Sequence, residues 1–70
     1  MTVEIFKTDV QEIEQAEALL DLLMASLPEC DINFDLKDCD KILRVAGNCI
    51  EIETVEQILE QNGYQCICLE

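Results

Sequence analysis

Seventy residues hold one small domain, because a single core usually needs on the order of 100 residues to bury most of its surface; a second folded unit within them is excluded. Half of the residues are apolar, far more than a disordered acidic segment carries, so residues 1–70 are expected to fold as one domain. Sixteen Asp and Glu oppose four Lys and Arg for a net charge of -12, with acids in excess in both halves, which argues against nucleic acid and membrane surfaces as partners and leaves basic proteins or cations.

Residues 1–7 alternate, with Val3 and Ile5 on one side and Thr2, Glu4 and Phe6 on the other, as in a strand covered on one face. The period then changes. Ile13, Ala16, Leu20, Leu23 and Leu27, widened by Leu19 and Leu22, predict an amphipathic helix over about 10–27. Thr8 with Gln11 and Asp9 with Glu12 are two overlapping capping pairs at its start, and Pro28 stops it. Cys30, Ile32, Phe34 and Leu36 alternate with Asp31, Asn33 and Asp35, the clearest strand of the chain, with one wet face.

A turn over 37–40 leads into a strand at 41–46 whose Leu43 and Val45 face inward, closed by Gly47 and Asn48. Val55, Ile58 and Leu59 mark a shorter helix opening near Thr54, with Thr54 and Gln57 as a capping pair and Gly63 in the left-handed terminal position. Residues 64–69 form the last strand. Strand, helix, strand, strand, helix, strand is the split βαβ order. Two right-handed crossovers then give an α+β, ferredoxin-like βαββαβ sandwich, an antiparallel sheet of order 4-1-3-2 with both helices on one face.

No run approaches the roughly 18 apolar residues that span a bilayer, and the first residues lack a basic start followed by an apolar block, so the expected setting is soluble and cytoplasmic. Five cysteines, Cys30, Cys39, Cys49, Cys66 and Cys68, are odd in number and irregularly spaced, unlike a secreted disulfide framework. There is no Cys-x-x-Cys and no His, which leaves no zinc knuckle.

The element order, the run Asp40-Lys41-Ile42-Leu43-Arg44-Val45-Ala46-Gly47 and the Gly63-Tyr64 pair after the second helix resemble the heavy-metal-associated domain of copper chaperones and metal-transport ATPases. The resemblance implies a Met-x-Cys-x-x-Cys loop between first strand and first helix, binding a soft cation such as Cu(I) through two thiolates. Placed by the preceding strand, the loop falls on Val10-Gln11-Glu12-Ile13-Glu14-Gln15. Val10 stands at the Met position, and Glu12 and Gln15 stand at the two thiolate positions. A carboxylate and an amide replace soft sulfur poorly, and two oxygens on one helical turn are too few for a hard cation, which takes six or more. The expectation is a degenerate metal loop in which Glu12 caps the helix, with no cofactor.

Cys66 and Cys68 form a Cys-x-Cys whose side chains share one face of the last strand. Facing the helices they are small core residues; facing out they could bracket Cu(I) or Zn(II). Cys30 continues the inner series, two acids beside Cys39 are expected to dull its reactivity, and Cys49 lies in a loop. A thiol nucleophile wants a base beside it, which a chain without His and with four scattered cations does not offer. Two distant glycines make no phosphate cradle. Phe6, Ile42 and Arg44 are expected on the uncovered sheet face, with either Tyr64, Cys66 and Cys68 or Gln65, Ile67 and Leu69 from the last strand. An exposed apolar patch there points to a protein partner or self-association. The function expected is a small non-catalytic interaction module; the alternative is soft-metal binding or transport through Cys66 and Cys68.

Ordering so short a chain costs ~1.5 kcal/mol per residue, close to what apolar burial returns, and repulsion among the acids erodes the balance. Added NaCl is therefore expected to raise the melting temperature by screening that repulsion; a scanning series in which it stays flat or falls from low to moderate salt would contradict this.

Overall fold

A computed structural model describes residues 2–69; Met1, which opens the expected first strand, and Glu70 lie outside the described residues. The elements run β1 (Thr2–Thr8), α1 (Ile13–Ser26), β2 (Asp31–Asp35), β3 (Ile42–Gly47), α2 (Ile52–Gln61) and β4 (Cys66–Leu69). Each helical connection is long enough to carry the chain past a neighbouring strand. The result is one four-stranded antiparallel sheet of order β2-β3-β1-β4, which counted from its other edge is 4-1-3-2.

Register decides which side chains meet the helices. Phe6 lies opposite Leu43 on β3 and Cys68 on β4, while Ile32 and Phe34 lie opposite Val45 and Leu43. These residues join Val10, Ala16, Leu19, Leu23, Leu27, Val55 and Leu59 in a single apolar cluster. Phe6, Leu19, Leu23, Leu43, Leu59, Val10, Val45 and Val55 are essentially inaccessible, each contributing roughly 1.5–3 kcal/mol by leaving water. Phe6 was expected on the uncovered face and is instead 0% exposed. The parity of β1 is ambiguous because apolar residues occupy both sides of it. Burying the Phe6 ring removes more apolar surface than burying Ile5, and Ile5 pairs with Arg44 on the open side.

α1 opens later than its first capping signals suggest, because those residues are engaged elsewhere. The Thr8 hydroxyl donates to the Lys41 carbonyl at 2.6 Å and accepts from the Val10 amide at 3.3 Å. Asp9 Oδ1 accepts from the Gln65 amide at 2.8 Å. Glu12 becomes the N-terminal cap, and Gln15 Oε1 accepts from the Glu12 and Gln11 amides at 3.2 and 3.4 Å, covering first-turn donors that have no intrahelical partner. The buried stripe is Ala16, Leu19 and Leu23, with Leu27 behind it. Ile13 and Leu22, expected to belong to the stripe, are 67% and 45% exposed, since at 100° per residue they fall at its margin and beyond.

The link from β2 to β3 is built from aspartates. Asp35 Oδ1 accepts from the Lys37 amide and Asp38 Oδ1 from the Asp40 amide, each bending the chain two residues on. Lys41 takes a positive φ of 50° and its Nζ donates back to the Leu36 carbonyl at 3.1 Å, so β3 starts at Ile42. α2 starts at Ile52, before the expected Thr54, because Glu51 is the cap and the Thr54 hydroxyl donates to its carboxylate at 2.8 Å. Its end is as expected: Gly63 has φ 88°, with Gly63 and Tyr64 amides donating to the Glu60 and Leu59 carbonyls, a Schellman closure that favours glycine. β4 then begins at Cys66, two residues after its expected start.

Gly47 has a role beyond ending β3. A Cβ there would stand 2.8 Å from Cys30 Sγ, so a side chain at position 47 would force the Cys30 thiol to shift. Gly47→Ala should destabilise by about 1 kcal/mol, and Cys30→Ala in the same chain should return part of it. Denaturant melts of the two single variants and the double variant measure the coupling; strict additivity would show that the two residues do not meet.

Candidate functional site

Residues 10–15, where the resemblance placed a metal loop, have folding tasks. Val10 is fully buried and holds the β1–α1 corner in the core. Glu12 is exposed and Gln15 partly so, and the Gln15 carbonyl oxygen is already used by two amides. The pair offers a cation one carboxylate and a committed amide. This donor set suits neither a thiophilic ion nor a hard cation.

The cysteines are placed on different surfaces. Cys30, Cys39, Cys49 and Cys66 carry free thiols. Cys66 and Cys68 both point toward the helices, since Cys68 lies opposite Phe6 and Cys66 opposite Thr8, which settles the orientation that the alternation left open. Cys66 is 6% exposed. Burial pushes its thiol from 9.0 up to about 12, with the charges of Glu56, Cys68 and Glu60 adding to the shift. Cys68 Sγ donates to Glu4 Oε2 at 3.5 Å. Thiolate ligands must shed their protons, and an anionic neighbourhood opposes that.

The ligand atoms of Asp38, Cys39 and Asp40 lie within 4.8 Å of one another at the tip of the β2–β3 turn. Asp38 braces the turn through the Asp40 amide, and Asp40 pairs with Lys7 Nζ at 3.7 Å. These are the functions of turn aspartates, and no further donor closes a cage among the described residues.

The uncovered sheet face is the remaining candidate. Its rows follow from register: Val3 beside Ala46 and Asp31; Ile5 beside Arg44, Asn33 and Leu69; Lys7 beside Ile42, Asp35 and Ile67. Val3, Ile67 and Leu69 are 51%, 55% and 39% exposed, and form an apolar half over β1 and β4. β2 and β3 supply the polar half, where Arg44 Nη1 donates to Asn33 Oδ1 at 3.4 Å. Ile42 is on this face as expected, yet only 8% exposed. Arg44 is exposed there, also as expected. Sequence reasoning missed Ile5, whose place Phe6 was expected to take. The available signal was Lys7, which shares parity with Val3 and Ile5, but Glu4 gives the opposite signal from the other side.

The cations are confined to the sheet layer and its turn, while acids occur on both layers. Neither helix contains a Lys or Arg; the four cations are Lys7, Lys37, Lys41 and Arg44, on the sheet and the β2–β3 turn. No helix among the described residues is long and apolar enough to cross a membrane.

Because the folded pKa of Cys66 lies above its unfolded value, the neutral thiol favours the folded state. That contribution is whole below about pH 9 and lost as pH rises through about 12. Melting curves across this window should show Cys66→Ala losing stability less steeply with pH than the parent, though starting lower; parallel curves would contradict it. Comparison with known proteins gives no match to a family model, to a curated protein or to a solved structure.

Proposed function

We propose that the chain is a non-catalytic protein-interaction module, a degenerate heavy-metal-associated-like domain of ferredoxin-like fold, cytoplasmic, working through its uncovered sheet face. The observation that carries this is the contiguous strip of Val3, Ile67 and Leu69, with Ile5 paired between Arg44 and Leu69. An exposed apolar patch supports a contact surface, and Arg, which stands at its border, is enriched in such surfaces. A non-catalytic role is supported by the absence of His and by a buried thiol held in its protonated form. The same thiol makes soft-metal binding through Cys66 and Cys68 the weaker reading.

Substitution on exposed strand positions separates contact from folding. Leu69→Asp and Val3→Asp should leave the melting temperature within a few degrees of the parent, since both side chains are substantially solvated. Chemical crosslinking in the host lysate, read by mass spectrometry, should lose its crosslinked partner or dimer by about tenfold or more in either variant. The Glu12→Gln variant should retain it. Crosslinks undiminished by the two sheet substitutions would refute this function.

A further inference from the structure

An open concavity lies between the helix layer and the β2 edge. It is a groove of about 540 Å³ between the first half of α1 and the end of β2, lined by the apolar Ile13, Leu20, Phe34 and Leu36 together with Glu17, Asp35 and Lys37. Ile13 is the most exposed large apolar side chain among them, at 67%. Its exposure contributes nothing to the core. Beside the groove, β2 is an edge strand that pairs with β3 alone, so its outer backbone groups are available to another strand.

We infer that this edge and groove together receive an extended segment of another protein in which apolar residues alternate with Arg or Lys, added as a fifth strand beside β2. The alternation follows from β2 itself. Residues of an added strand on the helix side would neighbour Ile32 and Phe34 and enter the groove, where Ile13 and Leu20 complete an apolar seat. Those on the open side would neighbour Asp31, Asn33 and Asp35, where a cation is favoured by direct cross-strand pairing. A net charge of -12 draws such a segment in at long range.

The same residues reject the strand of a second copy. Two β2 edges meeting about a twofold axis at Asn33 would set Asp31 against Asp35 twice, and like charges directly opposed are destabilising. β4, the other edge strand, has no charge from Cys66 to Leu69 and is not repelled in this way, and self-association is therefore an outcome to measure.

The test uses the whole chain and a short fluorescein-labelled peptide in which Val alternates with Arg, followed by anisotropy at moderate salt, with serine replacing valine in a second peptide of the same charge. Saturable binding to the first peptide is expected, weakened about tenfold or more for the second. Ile13→Asp adds a negative charge yet should weaken the first peptide by a similar factor, because it removes the seat. Val3→Asp adds the same charge on the open face and should not weaken it. Lys37→Glu should tighten it. No binding, serine and valine peptides bound alike, or Ile13→Asp binding at least as tightly as the parent would each overturn the inference, the last two by showing attraction to net charge alone. Concentration-dependent dimerisation abolished by Ile13→Asp would overturn it in favour of a second copy.

Discussion

The Thr8 hydroxyl is the interaction on which the arrangement of the chain turns. Thr8 is the one buried polar side chain among the described residues, and it spends both of its hydrogen-bonding roles at once, donating to the Lys41 carbonyl and accepting from the Val10 amide. Its own amide donates to the Asp40 carbonyl at 3.2 Å. Thr8 therefore locks the end of β1 to the start of β3. A slip of one residue would leave these groups unpaired and turn Phe6 outward. Asp9 does the same for the other neighbour, since its carboxylate holds the Gln65 amide at the approach to β4. Two adjacent residues close both sides of the central strand, and the helix must wait until Glu12 to begin.

That competition explains why some elements were legible in the sequence and others only in outline. β2 alternates without ambiguity because Asp31, Asn33 and Asp35 are all polar on one parity, and α2 ends where Gly63 alone can take a positive φ at little cost. Element order and sheet order followed from these local signals and from the handedness of crossovers. β1 carried apolar and charged residues on both parities, so its facing depended on a pairing with β3 that no local pattern contains. Thr8 and Asp9 have the chemistry of helix caps, and only the return of distant strands shows that their oxygens go to Lys41, Val10 and Gln65 instead. The contact of Gly47 with Cys30 is likewise invisible in one dimension, because it joins residues whose closeness is made by strand pairing.

Confinement of the cations to the sheet layer leaves the helices without a positive charge of their own. Acids on the helices have no cation within either helix to offset them, so their repulsion acts along the outer layer and is balanced by the apolar contact beneath. On the sheet, Lys7 and Arg44 sit among apolar side chains and shield Ile42 on a face that would otherwise collect other hydrophobic surfaces indiscriminately. Lysine and arginine placed this way discourage unselective stacking of sheets while leaving Val3, Ile67 and Leu69 exposed.

The turn before α1 shows how a ligand-binding segment and a helix cap draw on the same positions. First-turn amides of a helix need acceptors, and a loop that opens there can present its side chains either outward to an ion or back to the backbone. Two thiolates would do the first, because sulfur accepts weakly from amides and binds soft cations strongly. Gln15 does the second: its carbonyl oxygen takes the Glu12 and Gln11 amides, and the exposed Glu12 carboxylate lies where the positive end of the helix dipole favours a negative charge. This end of α1 leaves Ile13 in solvent beside the end of β2.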